Sequence, residues 1–299
     1  MNQTTKGILY ALVTTLFWGF LAIVLKVAVR QISPFTIVWF RFTFAFLALF
    51  LWFLITDRKQ LRILIRPPWQ LVVASLALAI NYIGFMLGIH YTSPSNTQVI
   101  IQVGPVLLAL SGIVLFGEKL KKVQIVGFGI VLAGFALFYH QQLKSMFFHP
   151  EDFNTGLLLT LMAAVAWSVY AIMQKKMVKK YPPQTLNLFL YGLPMLLYLP
   201  LADFQNLATL SSGWWLLLVF LGANTLIAYG CISAALKYIE ANKVSAIIIN
   251  NPIITFLTMA LLTRLNVSWI SGEHFSPWVW AGAVLFISGA VLVVGSGKK

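Results

Sequence analysis

The sequence predicts an all-α polytopic membrane protein with ten transmembrane helices, arranged as two inverted five-helix repeats. Its 299 residues are 60% hydrophobic and only 9% charged, whereas soluble domains carry roughly 25% charged residues. The apolar residues fall in runs of about 18 to 24, the helix length that crosses ~30 Å of hydrocarbon. The strands of a β-barrel would be shorter and would alternate in polarity. A third observation, an internal match between the start and the middle of the chain, indicates the two repeats.

Ten apolar runs separated by short polar connections are the predicted spans. They cover residues 7–29, 34–56, 68–90, 95–116, 123–140, 156–174, 184–202, 213–236, 244–263 and 277–295. The first run is too long for the apolar core of a signal peptide and contains Lys26, so we expect it to be retained as a span. The longest connection is about 141–155, and no soluble domain fits between the spans.

The net charge of +14 is distributed unevenly between the two sides that these spans define. With the N-terminus in the cytoplasm, sixteen Lys and Arg residues fall on inner segments and three on outer segments. The inner ones are Lys6, Arg58, Lys59, Arg62, Arg66, Lys119, Lys121, Lys122, Lys175, Lys176, Lys179, Lys180, Lys237, Lys243, Lys298 and Lys299; the outer ones are Arg30, Lys144 and Arg264. Cytoplasmic loops of membrane proteins carry such an excess. We therefore expect an integral protein of a bacterial inner membrane with both termini in the cytoplasm, and no nucleic-acid partner.

A shift of 149 residues places the start of the chain on its middle without gaps. Residues of distinctive type coincide: Gly7 with Gly156, Trp18 with Trp167, Lys26 with Lys175, Pro34 with Pro183 and Thr36 with Thr185. Near a shift of 147, Tyr91 matches Tyr238 and Pro105 matches Pro252; near 155, Gly127 and Gly134 match Gly282 and Gly289. We therefore predict two domains, 1–145 and 155–299. Because each half has an odd number of spans, the second half is inverted, which is the usual basis of alternating access around a midplane site.

Several motifs resemble the EamA-type half of the drug/metabolite transporter superfamily. They are Gly104-Pro105-Val106, Leu115-Phe116-Gly117-Glu118-Lys119 followed by Gln124, Gly127 and Gly134, and, earlier, Phe17-Trp18-Gly19 and Ser33-Pro34 with Arg41. The resemblance implies ten helices, a central cavity lined by the first four of each half, and export of amino acids, other metabolites or drugs. One departure is that Thr263-Arg264 replaces Gly117-Glu118 in the second half, where the nearest acid is Glu273.

Two charges lie inside predicted spans, Lys26 and Arg41, and charges in hydrocarbon are candidates for function. Both would suit a carboxylate-bearing substrate. Alternatively, Lys26 reaches the outer headgroups and Arg41 binds helix-end carbonyls. The seven acids all map to loops or span ends: Asp57, Glu118, Glu151, Asp152, Asp203, Glu240 and Glu273. A proton antiporter that relies on an intramembrane carboxylate is therefore disfavoured.

Polar and aromatic residues within the spans are further candidates for substrate binding. Two mid-span prolines, Pro105 and Pro252, would free the carbonyls of Ile101 and Ile248 and act as hinges. The candidates are Gln98, Gln102, Asn250 and Asn251 beside these prolines, Asn81, Tyr82, Tyr170, Gln174, Asn224 and Tyr229 in other spans, and the matched pair Trp18 and Trp167. The alternatives are hydrogen bonding between helices for the amides and simple packing for the aromatic residues.

No cofactor or metal is expected. Cys231 is the sole cysteine, and the histidines suggest no ligand set: His90 at a span end reads as structural, and His140, His149 and His274 lie in or beside outer loops. The glycine patterns predict close helix packing within a half or between protomers.

We expect a transporter that exports or exchanges small metabolites, with amino acids as the best guess, rather than an enzyme. Its partners would be a small-molecule substrate and the lipid bilayer, and the protein would be a monomer or weak homodimer. The alternatives are a drug or lipid exporter on the same fold and, from another class, a membrane enzyme acting on lipid headgroups. The enzyme interpretation is disfavoured because the sequence offers no catalytic carboxylate, histidine cluster or serine triad at the membrane surface.

Overall fold

The computed structural model describes residues 2–92, 94–138, 140, 151–270, 272 and 276–295, and every regular element in this part of the chain is helical. The helices are α1 (Gln3–Ala28), α2 (Pro34–Thr56), α3 (Trp69–Tyr91), α4 (Pro94–Ile100), α5 (Val103–Phe116), α6 (Lys122–Phe138), α7 (Glu151–Met177), α8 (Pro183–Tyr198), α9 (Phe204–Thr209), α10 (Ser212–Tyr238), α11 (Ala241–Ile248), α12 (Asn251–Arg264) and α13 (Pro277–Gly295). Short 3-10 helices, Arg58–Leu64 and Leu199–Leu201, follow α2 and α8. The predictions made for Lys144, His149, Glu273, His274, Lys298 and Lys299 lie outside the described residues.

Six described segments are long and apolar enough to cross a membrane, judged by length and composition. They are α1, α2, α3, the Thr155–Met177 part of α7, α10 and the stretch Ala241–Arg264 that comprises α11 and α12. Shorter apolar helices are Val103–Phe116, Lys122–Leu137 and Pro277–Val293. The all-helical class is therefore confirmed, and these helices are consistent with a polytopic membrane protein.

Helix ends follow local chemistry. Ser33 caps α2 by accepting a hydrogen bond from the Thr36 N–H at 3.2 Å, and Pro34 occupies the first turn, where its missing N–H breaks no bond. The C-terminus of α5 is capped by Gly117, whose φ of 65° lies in the left-handed region. The Glu118 N–H then donates to the Gly112 carbonyl at 2.9 Å. A glycine is favoured at this position because the left-handed region strains other residues.

Two of the predicted spans are interrupted helices. The break between α4 and α5 falls at residues 101–102, and that between α11 and α12 at residues 249–250. Pro105 and Pro252 lie in the first turns of the helices that follow, where proline is tolerated. The Ile101 carbonyl, predicted to be freed by Pro105, accepts a bond from the Gly104 N–H at 3.0 Å. The prolines therefore begin a second helix rather than bend a continuous one.

Four helix pairs build the bundle: α1 packs on α10, α3 on α7, α2 on α8 and α6 on α13. The main buried core surrounds Trp18, Tyr82, Trp167 and Tyr229. A second, smaller core contains Val131 of α6 together with Phe286 and other residues of α13. The centre of the protein thus lies between α1, α3, α7 and α10.

Glycines form a tight seam between α6 and α13. A Cβ built on Gly134 would lie 2.6 Å from the Phe286 backbone nitrogen and 2.9 Å from the Gly282 carbonyl oxygen. A Cβ on Gly289 would lie 2.6 Å from the Gly127 carbonyl oxygen. Close packing therefore occurs, but it joins the last apolar helix of one predicted half to that of the other, rather than helices within a half.

We expect Gly134→Ala to destabilise the protein, because the added methyl group meets backbone atoms that cannot rotate away. Overpacking of this kind costs about 1–3 kcal/mol, which should lower the apparent melting temperature in detergent by several degrees. Gly129→Ala is the matched control, since a Cβ there meets nothing within 4 Å. Equal melting temperatures for both variants would contradict a close seam.

Candidate functional site

A cavity lies at the centre of the bundle, beside the break between α4 and α5. Its lining residues are Trp18, Leu21, Asn81, Phe85, Gln98, Ile101, Gln102, Pro105, Trp167, Tyr229 and Asn251. Its volume is about 60 Å³, room for a few water molecules. Seven of the predicted substrate-binding residues thus surround one space: Trp18, Asn81, Gln98, Gln102, Trp167, Tyr229 and Asn251.

One wall of the cavity is aromatic. The rings of Trp18 and Trp167 meet edge-on with centroids 5.9 Å apart, and Trp18 lies 5.4 Å from Tyr229. Tyr170 stands behind this pair, 6.4 Å from Trp167 and 5.6 Å from Tyr229. Such edge-to-face contacts fix ring orientation, so the wall is a preformed apolar surface.

The lining also carries amides. Gln102 Nε2 donates to Asn251 Oδ1 at 3.1 Å and to the Gln98 carbonyl at 3.0 Å. Gln98 Nε2 in turn lies 3.4 Å from the Trp18 carbonyl oxygen. Gln102 Oε1 is buried without a hydrogen-bond partner in the described structure. A buried acceptor left in this state is unfavourable, so the site can accept a hydrogen bond from a ligand N–H or O–H.

Asn81 connects the cavity to a buried tyrosine cluster. Its Nδ2 donates to the Ala163 carbonyl at 3.0 Å, and its Oδ1 accepts from the Tyr229 hydroxyl at 3.3 Å. Tyr229 packs against Tyr82 with ring centroids 5.4 Å apart. Asn81 is thereby fixed by α7 and α10, and its amide is held in one orientation at the cavity wall.

Arg41 lies behind the cavity wall, outside the lining. It is 2% exposed, its Nε donates to Thr225 Oγ1 at 3.0 Å, and its guanidinium carbon lies 4.4 Å from the centroid of the Tyr82 ring. The ion pair seen among the described residues is Lys243–Glu240, so no described acid pairs with Arg41. A buried cation held by a hydroxyl and an aromatic face keeps a positive field near the cavity.

Lys26 also lies outside the lining, and its ammonium binds the end of α3. Nζ donates to the Ile89 carbonyl at 3.0 Å and to the Thr92 carbonyl at 3.2 Å. Lys175 makes the corresponding contacts at the end of α10, with the carbonyls of Leu236 and Ile239. Cations are favourable at helix C-termini, where carbonyls are unpaired. These contacts point to helix capping and away from the headgroup-reaching alternative.

The remaining candidates bond to helices around the cavity. Gln174 Nε2 donates to Asn187 Oδ1 at 3.2 Å and to Ser233 Oγ at 2.8 Å. Asn224 Nδ2 donates to the Phe17 carbonyl at 2.8 Å, and Asn250 Nδ2 to the Ala246 carbonyl at 2.8 Å. In the present conformation these three amides therefore link or brace helices, and Tyr82, Tyr170 and Pro252 likewise lie outside the lining.

Sequence reasoning missed Leu21, Phe85 and Ile101, which line the cavity. Helical spacing was the available signal: Leu21 follows Trp18 by three positions, and Phe85 follows Asn81 by four, so each pair shares a face. The described residues contain no cluster of His, Cys, Asp and Glu that could hold a metal.

Comparison with known proteins places the chain in a family. The model of the EamA-like transporter family matches residues 5–140 and 154–295. A solved crystal structure aligns with a TM-score of 0.73 over 96% of both chains, and at 19% identity this likeness concerns the fold alone.

Curated relatives extend over nearly the whole chain. An uncharacterized inner membrane transporter of Escherichia coli K12 is 31% identical, with 97% of this chain and 91% of the relative covered. A transporter of Haemophilus influenzae is 28% identical over 97% and 95% of the two chains. A Salmonella typhimurium protein named "Probable amino-acid metabolite efflux pump" is 25% identical over 95% and 93%. The chain belongs to the EamA-like transporter family.

Proposed function

We propose that the protein is an inner-membrane exporter or exchanger of small metabolites, amino acids above all. It would work by alternating access between two inverted repeats, residues 1–145 and 155–299, with ten spans in total and both termini in the cytoplasm. The substrate would bind in the central cavity. The observation that carries the proposal is that one cavity combines an aromatic wall, an amide wall and a nearby buried cation.

Corresponding contacts support the two repeats. Lys26 and Lys175, which match at a shift of 149, cap α3 and α10 through carbonyls that match at a shift of 147. Residues near a twofold axis meet their own counterparts, and Trp18 contacts Trp167 as Tyr82 contacts Tyr229. The separate family matches at 5–140 and 154–295 also fit a duplication. The glycines of α6 and α13 pack against each other within the chain and are not needed for contact with a second protomer, so we favour a monomer.

The chemistry of the cavity suits a zwitterion. A positive field from Arg41 would attract a carboxylate, the orphaned oxygen of Gln102 would accept from an ammonium group, and the Trp18–Trp167 wall would hold the side chain. A relative named as an amino-acid metabolite efflux pump points to the same class. We therefore place substrate recognition at Trp18, Gln102, Trp167 and Asn251, with Arg41 acting through Tyr82.

The small size of the cavity supports a mechanism in which the helices around it move apart. About 60 Å³ of free space is far below the ~300–1,000 Å³ of ordinary ligand sites, so a substrate must separate the walls. The breaks at 101–102 and 249–250 lie beside the cavity, in corresponding helices, and are the natural points of bending. With no acid inside a predicted span, we favour exchange or facilitated export over carboxylate-coupled proton antiport.

A drug or lipid exporter remains the second candidate because of one feature. An apolar groove of about 380 Å³ between α1, α11 and α13 is lined by Ile8, Leu12, Thr15, Ala246, Ile247, Asn250, Ile287, Ala290 and Val291. Asn250 borders this groove while the adjacent Asn251 borders the central cavity. An apolar molecule could therefore approach the cavity from the lipid side.

Transport by purified protein tests the proposal. Proteoliposomes loaded with unlabelled amino acids should accumulate labelled amino acids by exchange, above the level of protein-free vesicles. Trp18→Ala, which removes half of the aromatic pair, should lower uptake of aromatic and aliphatic amino acids more than that of glycine, because buried aromatic contacts contribute about 1 kcal/mol beyond area. Absence of exchange across a broad amino-acid panel, together with movement of a lipophilic dye, would favour the drug exporter.

A further inference from the structure

Glu118 lies outside the lining of the central cavity, just after the left-handed Gly117 that caps α5. Its carboxylate crosses to the other half of the chain and binds the start of α11. Oε1 accepts from the Ala241 N–H at 2.7 Å, and Oε2 accepts from the Asn242 N–H at 3.1 Å. Ala241 and Asn242 are buried. The carboxylate thus satisfies two of the first-turn N–H groups that a helix leaves without internal partners.

The chain makes room for this contact. A Cβ on Gly112 would lie 2.5 Å from Glu118 Oε2, so a glycine at this position creates the space that the carboxylate occupies. The Glu118 N–H bonds to the Gly112 carbonyl at 2.9 Å. Gly112 and Gly117 together orient the side chain of Glu118 toward α11.

The same joint is held from its other side by Lys175. The ammonium of Lys175 caps the end of α10 through Leu236 and Ile239, and the charges of Glu118 and Glu240 act favourably on it. The turn at 239–241 therefore has a cation at the end of one helix and an anion at the start of the next. Each charge complements the helix dipole that it faces.

At the opposite end of the bundle, one half of this arrangement is present in the part of the chain that the structure describes. Lys26 caps α3 as Lys175 caps α10. Thr263 and Arg264 match Gly117 and Glu118 at a shift of 146, whereas at the shift of 155 that matches Gly127 with Gly282 the counterparts are Gly272 and Glu273. Arg264 is exposed and cannot accept a hydrogen bond, and Glu273 lies outside the described residues. Among the described residues, a carboxylate that ties one half to the other is therefore seen at one end, the end that the positive charges predict to be cytoplasmic.

The helix that Glu118 holds carries buried polar groups without partners. Among the described residues, both amide atoms of Asn242 and the hydroxyl of Ser245 are buried without a hydrogen bond, one turn apart on α11. α11 packs along α5 of the other half, and Asn242 and Ser245 are buried in this part of the bundle. Unpaired buried polar groups favour separation of the helices and entry of water, and a contact at the end must oppose it.

We propose that Glu118 is the latch of the inner gate: its carboxylate holds α11 against α5 and keeps the cytoplasmic entrance closed until it is released. The inference rests on the alternating-access transport proposed above and adds the residue that controls one gate. An exporter must open this entrance to load its cargo, so release of Glu118 is the first step of the cycle. Glu118 is a positioning residue, because it acts through α11 rather than on the substrate.

Accessibility of a single cysteine tests the latch without any substrate. Cys231, the one cysteine of the sequence, is replaced by serine, and Ser245→Cys places a thiol at a buried position of α11. A charged, membrane-impermeant thiol reagent is applied to inside-out and right-side-out vesicles. Glu118→Gln retains the shape but only one acceptor, and Gly112→Ala displaces the carboxylate while keeping Glu118. Both should raise the labelling rate about tenfold from the cytoplasmic side, as loss of one charge-assisted hydrogen bond predicts.

Glu240→Gln is the matched control. The variant removes a negative charge at the same joint. In the starting chain the Glu240 carboxylate pairs with Lys243 at 2.7 Å and makes no cap bond to α11, so the labelling rate of the thiol at position 245 should not change. The latch is overturned if labelling is unchanged in both variants, rises from the outer side, or rises equally in Glu240→Gln. Because the assay needs no cargo, failure to transport amino acids would count against the proposed substrate and leave the latch result readable.

Discussion

Arg41→Met should lower carboxylate transport by about 30-fold while leaving the protein as stable as the starting chain or more so. The two effects have opposite signs because Arg41 is a buried cation with no described acid partner. Replacing a buried charge by an apolar side chain of similar length removes a desolvation penalty. Losing its attraction for a substrate carboxylate removes about 2 kcal/mol or more of binding energy, which corresponds to that factor.

The measurement compares an amino acid with its uncharged amide in the same proteoliposomes. Arg41→Met should spare uptake of the amide, and Arg41→Lys should retain part of the carboxylate uptake because it keeps the charge. Thr225→Val is the matched control, since it removes the hydroxyl that Arg41 Nε contacts at 3.0 Å but preserves the charge. If Arg41→Met impairs the acid and the amide equally, or lowers the melting temperature by several degrees, then Arg41 belongs to the scaffold.

Lys175→Met should destabilise the protein by about 2–4 kcal/mol and lower the apparent melting temperature by about 5–15 °C. The lysine is 8% exposed and its ammonium binds two carbonyls at the end of α10. Without it, these carbonyls remain buried and unpaired, and the helix C-terminus loses its complementary charge. Differential scanning fluorimetry in detergent measures the shift.

Lys176→Met is the neighbouring control, because Lys176 is exposed and should change the melting temperature little. Lys26→Met tests whether the corresponding residue has the same role. If Lys26 is a cap, this variant also lowers the melting temperature, by less because Lys26 is more exposed than Lys175, and leaves the ratio of acid to amide uptake unchanged. If Lys26→Met instead lowers uptake of the amino acid but not of its amide, Lys26 contributes to substrate binding.

Much of the site was within reach of the sequence. Trp18 and Trp167 coincide at a shift of 149, and Gln102 and Asn251 lie beside mid-span prolines; all four line the cavity. These residues come together because polar and aromatic side chains in an apolar helix are drawn to the protein interior, away from lipid; their role in substrate binding stays a prediction. The same logic could not rank Gln174 or Asn224, because an inward amide can face either a cavity or another helix.

The prolines show where local reasoning stops. A proline within a long apolar run predicts a disturbance of the helix, and one occurs near both Pro105 and Pro252. Whether the helix bends or breaks depends on which donors reach the carbonyls on its N-terminal side. Here the Gly104 N–H satisfies the Ile101 carbonyl, so the chain turns and starts a new helix.

The sequence by itself determined the helical class, the apolar segments and the family, because hydrophobic runs and ordered motifs are properties of neighbouring residues. It also placed Lys26 inside the first predicted span, Lys175 on an inner segment, and Glu118 among the acids of loops and span ends. Only the tertiary structure decided what these charges bind. Lys26 reaches carbonyls more than 60 residues away, and Glu118 reaches amides 123 and 124 positions along the chain. A helix C-terminus favours any nearby cation and a helix N-terminus any nearby anion. Which charged residue lies there depends on how the helices pack.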